Sequence, residues 1–194
     1  MKVGRDPRLL YRAATIWVHQ LMTMVREDQL SAPTPCVAFD LRALLGHLVG
    51  TAERSLATAQ AHPTVSISHV VADIADHDLA PRYFTLAAAA NSAWSALTSL
   101  NDSVLAPWGE VAGHDAVWGF ANETLVHGWD VAVATGQPLE AAADLVEPVL
   151  ERAHKTVPKT NRNMRAYRPV LESRPGAGPT ERLASWHGHH WPLT

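Results

Sequence analysis

Four stretches of this chain repeat apolar residues every three or four positions, and proline, glycine and aspartate break the chain between them. A 3.6-residue apolar period belongs to a helix with one face in a core. Residues 7–27 carry Leu10, Ala14, Trp17, Leu21 and Met24 on that period. Residues 40–61 carry Leu41, Leu44, Leu45, Leu48, Ala52 and Leu56. Residues 80–100 carry Tyr83, Leu86, Ala90, Trp94 and Leu97, and residues 114–135 carry Val117, Phe120, Ala121, Thr124, Gly128 and Val131. Four such helices in one chain pack best as an antiparallel bundle, so the expected fold class is all-α. Pro33 and Pro35 mark a linker, Asp40 suits an N-cap, and Gly136 suits a left-handed helix stop.

The rest of the chain is shorter-ranged. Residues 62–78 are polar and read as a loop. Val104-Leu105 and Glu110-Val111 are placed to pair briefly as strands in the connector before the fourth helix. A fifth helix is expected near 141–156, and one short helix near 180–187 within irregular chain. The whole, 1–194, is expected to be one domain, with a core bundle of about 7–137 and an extension of 138–194. A net charge of −3 and only three lysines give no reason to expect nucleic acid. No apolar run approaches the ~18 residues of a membrane span, and the N-terminus lacks the apolar stretch of a signal peptide. One cysteine excludes an internal disulfide and fits a reducing compartment, so cytoplasm is the expected location.

The chemistry concentrates in two segments. Glu123 and His127 lie four residues apart in Glu-Thr-Leu-Val-His-Gly-Trp-Asp, one turn apart on one helix face. His47 sits within Leu-Leu-Gly-His-Leu-Val-Gly of the second helix. A carboxylate and an imidazole so placed can grip one divalent metal, and a histidine from a neighbouring helix makes a third ligand. Three protein ligands leave a position open, the mark of a catalytic rather than a structural site. The same spacing also occurs as a surface pair worth a few tenths of a kcal/mol, and a lone histidine is often half-buried with one hydrogen bond. On their helices all three residues flank the apolar stripe, where a cleft would admit solvent.

Pro33-Thr34-Pro35-Cys36 followed by Leu44-Leu45-Gly46-His47-Leu48-Val49-Gly50 resembles the approach to the second helix in the DinB-like superfamily. With Glu123-Thr-Leu-Val-His127-Gly-Trp-Asp130 and Val-Ala-Val-Ala-Thr-Gly-Gln-Pro138, it is similar to the actinobacterial branch related to the N-terminal domain of mycothiol-dependent maleylpyruvate isomerase. The resemblance covers roughly 8–138. It implies a DinB-like bundle in which His47, Glu123 and His127 are the metal triad. It also implies a divalent ion, zinc above others, with mycothiol as cosubstrate for thiol transfer or isomerisation. The expected partners are then a small-molecule thiol and an electrophile, with no nucleic acid and no membrane; a homodimer is left open. A non-catalytic metal-binding or stress-related bundle and a metal-dependent hydrolase are the alternatives. The isomerase's separate C-terminal domain has no counterpart in the residues after Pro138, so its own substrate is not implied.

Other residues carry weaker expectations. Cys36 reads as a buried structural cysteine, with a redox thiol near the metal as the alternative. Asp130 is placed either to orient a ligand imidazole or as a surface carboxylate. Trp118 and Trp129 suit core packing or a pocket wall. Arg162, Arg165 and Arg168 read as a solvated basic turn, His187, His189 and His190 as an exposed tail, and His62, His69, His77 and His114 as loop residues outside the segments that carry the resemblance.

Overall fold

The computed structural model describes residues 6–162 and 167–190. Arg165 lies outside them. Helix α1 spans Pro7–Thr23, α2 Leu41–Ala59, α3 Leu79–Ala96 and α4 Gly113–Thr135. Strands β1 (Ser103–Ala106) and β2 (Gly109–Ala112) form an antiparallel hairpin before α4. Helices α5 (Ala143–Thr156) and α6 (Pro179–His187) complete the order. The fold is an all-α four-helix bundle with two additional C-terminal helices.

The helix boundaries follow from local chemistry. Asp6 accepts from the backbone N–H of Arg8 at 3.0 Å and opens α1, with Pro7 in its first turn. Asp40 accepts from the N–H of Ala43 at 2.8 Å and opens α2. Gly136 closes α4 at φ 69°, a left-handed conformation that costs a side chain-bearing residue energy. Two expected ends move. Helix α1 stops at Thr23 rather than 27, because Gln29 is tied at 3.2 Å to the carbonyl of Thr135 at the end of α4, which draws the chain off the helix axis. Helix α3 stops at Ala96 rather than 100: Leu97 is extended, and its carbonyl accepts from Arg8 Nη1 at 3.1 Å.

Around the bundle α1 packs on α3 and α4, and α2 packs on α3 and α4. Helices α2 and α4 are therefore neighbours, which periodicity alone cannot establish. One core joins Val18, Leu21, Leu44, Leu48, Tyr83, Leu86 and Val131. A second joins Leu10, Leu125, Val146, Val149 and Leu183 and seats α5 and α6. A third, with Tyr11, Trp94 and Phe120, lies under the hairpin. Each large side chain so buried contributes on the order of 1.5–3 kcal/mol. Because α1, α2 and α6 all pack on α4, every residue from Thr124 to Val133 is buried. No helix among the described residues is long and apolar enough to cross a membrane.

Candidate functional site

Gly46 and Gly50 lie one turn apart on α2, flanking His47 in sequence, and they let a loop lie directly against the helix. A Cβ on Gly50 would stand 2.7 Å from the carbonyl oxygen of Ser68, and one on Gly46 would collide with that of Val71. The loop is held there by Arg54, whose Nη1 donates to the Ser68 carbonyl at 2.7 Å. The same seating brings the carbonyl of His69 to 3.0 Å from His47 Nδ1. A carbonyl only accepts, so Nδ1 carries the proton and the lone pair of Nε2 faces the interior. Phe39 stacks on the imidazole at 5.2 Å and fixes its plane.

Helix α4 presents the other two groups toward that lone pair. Glu123 Oε1 lies 3.1 Å from His47 Nε2 and 3.4 Å from His127 Nε2. Ligands at ~2.1 Å from one tetrahedral ion stand ~3.4 Å apart, so the carboxylate oxygen already stands at nearly that separation from each imidazole, and all three donor atoms lie within 4.8 Å of one another. The donor set also fits a borderline cation: two imidazole nitrogens and one carboxylate oxygen. His47, at 2% exposure, and His127, at 6%, are buried, while the Glu123 side chain is 40% exposed and forms the mouth. The expected edge placement therefore holds for the carboxylate only. The imidazoles are covered, His127 by the turn after α6.

That cover was not legible in the sequence. His189 is not in an exposed tail: its Nδ1 donates to Asp130 at 2.8 Å. His187 is 4% exposed, and its Nε2 donates to Asn122 Oδ1 at 3.0 Å. Asp130 is fully buried, and its Oδ2 accepts from His127 Nδ1 at 2.9 Å, which turns His127 Nε2 toward Glu123. Asp130 is thus the orienting carboxylate, not a surface one. His69 lies in a loop as expected, and from there it supplies the carbonyl on His47 and sets its ring 4.5 Å from that imidazole.

The charges are mutually dependent. Burial opposes ionisation of Glu123, yet the bond from His127 and the charge beside it hold its carboxyl well below the usual range. Burial likewise opposes charge on His127, but Asp130 and Glu123 outweigh it and hold the imidazole well above its ordinary value. For His47 burial wins, and its pKa is lowered. Without a shared cation, a neutral His47 lone pair therefore faces a carboxylate.

Beside Glu123 a cleft of about 490 Å³ runs between α4, α5 and the hairpin. Trp108, Trp118 and Tyr167 line it with Asn122 and Arg152, the last paired with Asp115. Trp118 is thus a cleft wall, whereas Trp129 is wholly buried in the core. Arg162 is not a solvated turn residue: it donates to the carbonyls of Pro158 and Arg168 and lies over Tyr167 and Trp186. Arg168 is exposed. His114 sits in the first turn of α4, paired at 3.0 Å with Asp115.

A four-helix bundle with a histidine–glutamate–histidine cluster between its second and fourth helices defines a DinB-like protein. The family model described as the mycothiol maleylpyruvate isomerase N-terminal domain matches residues 11–132, and the chain belongs to that family. Two uncharacterised proteins of Mycobacterium tuberculosis, from strains CDC 1551 and H37Rv, are each 28% identical to it over 187 residues, covering 94% of this chain and 97% of theirs. Crystal structures of mycothiol-dependent maleylpyruvate isomerase and of a histidine-to-alanine variant superpose with TM-scores of 0.60 and 0.62 at 15% identity. Each match covers 75% of this chain and 65% of the isomerase.

Proposed function

We propose that this protein binds a divalent ion, zinc above others, through His47, Glu123 and His127, and uses it to transfer a low-molecular-weight thiol of the mycothiol type to an electrophile. The observation that carries this reading is the convergence of three donor atoms within 4.8 Å of one another, with an aromatic-walled cleft at the exposed one. A bound ion would supply Lewis acidity, holding a thiol as thiolate at neutral pH. The remaining work belongs to the chain. His69 fixes the tautomer of His47, and Asp130 fixes that of His127. Burial of both imidazoles excludes competing water, and Trp108, Trp118 and Tyr167 offer flat apolar surface to the electrophile. The family supports the thiol: the structural relatives are mycothiol-dependent. Because the chain spans only 65% of that isomerase, maleylpyruvate itself is not carried over.

The test joins metal analysis of the purified protein with calorimetric titration of the zinc-loaded protein with mycothiol, beside the same titration of Glu123→Ala. Conjugation of mycothiol to a panel of electrophiles should vanish on chelation and return with zinc. Negligible thiol binding in both proteins would sink the thiol reading, and wild-type protein without bound metal would sink the site.

A further inference from the structure

A second set of donors meets on the far side of His127. The Cys36 thiol, a carboxylate oxygen of Asp130 and a ring nitrogen of His189 all lie within 4.8 Å of one another. They come from three separate elements, and each is fixed by its own backbone. Cys36 sits in a turn closed by the Phe39 N–H on its carbonyl at 2.8 Å, with Thr34 Oγ1 on the same carbonyl at 2.9 Å. Asp130 is buried on α4. His189 is placed by the stop of α6: Gly188 is left-handed at φ 87°, and the N–H of His189 returns to the Ala184 carbonyl at 3.0 Å.

From this convergence we propose a second divalent-metal site, made by Cys36, Asp130 and His189 and distinct from the His47–Glu123–His127 cluster. Sulfur, nitrogen and carboxylate oxygen together suit a borderline ion such as zinc or cobalt rather than magnesium or calcium. Binding releases two protons to solvent: the Cys36 thiol loses one as its sulfur bonds the ion, and the His189 imidazolium loses its Nδ1 proton, freeing that lone pair while Nε2 keeps its own. Asp130 keeps Oδ2 on His127 and turns Oδ1 to the ion. The present 2.8 Å between His189 Nδ1 and Asp130 must open to the ~3.4 Å of tetrahedral neighbours, a side-chain adjustment. Burial raises the pKa of the Cys36 thiol, so the metal-free sulfur is no ready nucleophile.

Cobalt distinguishes the two sites, because only one of them contains sulfur. Metal-free protein, kept reduced with a phosphine, is titrated with Co²⁺ while visible ligand-field and near-ultraviolet sulfur-to-cobalt bands are followed. Two ions per chain are expected, with the sulfur band arising from one of them. Cys36→Ser should abolish the band and bring the stoichiometry to one. His189→Ala should weaken or abolish the band without touching the thiol, and circular dichroism checks that both variants fold. His47→Ala should remove the other ion and leave the band, so failure of the proposed enzymatic site reads differently from failure of this one. Cobalt bound by the wild type without a sulfur band overturns the proposal. So does a band that disappears with His47, which would make Cys36 a ligand of the first ion, or one indifferent to His189.

Discussion

Asp130 and His189, 59 residues apart, form a part-buried 2.8 Å contact that closes the C-terminal segment over the site. The same carboxylate holds His127 at 2.9 Å, so one buried group couples the turn after α6 to a metal-ligand candidate. Burial alone would raise the pKa of Asp130, but the charge on His189 and the bonds from both imidazoles bring it below the usual carboxylate value.

Glu123→Gln should keep the fold and lose the metal. The side chain is 40% exposed, so the fold should survive, with the metal-free protein losing only the solvent-screened pairing of Glu123 with His127. Zinc at ~100 times its dissociation constant should stabilise the wild type by about 2.7 kcal/mol and the variant hardly at all. Thermal melts with and without zinc check this, and an equal zinc-induced shift in both proteins would remove Glu123 from the ligand set.

Asp130→Asn preserves shape but removes the charge that turns His127. Zinc affinity should fall roughly 10–100-fold, the usual effect of losing a ligand's orienting partner. Competition against a chromogenic chelator measures it. Unchanged affinity would mean that Glu123 alone positions His127.

Gly50→Ala tests the seating of the loop. The new methyl would meet the Ser68 carbonyl at 2.7 Å and Arg54 Nη1 at 3.1 Å, so the loop must lift. A cost of about 1–3 kcal/mol is expected from overpacking. Zinc affinity should fall with it, because the His69 carbonyl leaves His47. Lost stability with intact zinc affinity would show that the loop does not set the His47 tautomer.

His187 predicts an acid sensitivity. Burial, with the nearby charge of His189, lowers its pKa to about 3, against about 6.5 in the unfolded chain. Between those values the unfolded state binds more protons, so stability is whole above about pH 6.5 and declines as the pH drops. At about pH 5 the loss is about 2 kcal/mol, from 1.5 units at ~1.36 kcal/mol each. Urea unfolding at pH 7 and pH 5 should show a smaller decline for His187→Gln than for the wild type. Equal declines would remove His187 as the cause.

The four bundle helices were legible because core-facing residues such as Leu44, Leu48, Phe120 and Val131 recur within one turn of each other, a strictly local signal. The hairpin was legible for the same reason, its strands being separated only by Pro107 and Trp108. His47, Glu123 and His127 were nominated by spacing and by resemblance, and the fold brings them together because α2 and α4 are neighbours. The burial of His187 and His189 and the contact of the His69 loop with His47 are not legible, because nothing within a few residues of a histidine reveals which distant group awaits it. Asp130 stayed ambiguous on the same ground: its depth depends on α6, more than 40 residues downstream.

The span between Asp130 and His189 also orders events on the ribosome. Helices α2 and α4 leave the exit tunnel well before the turn after α6, so the growing chain can dock His47 against Glu123 while Asp130 still has only His127 for company. For that interval His127 and Asp130 lie uncovered, until the last turn arrives to close over them.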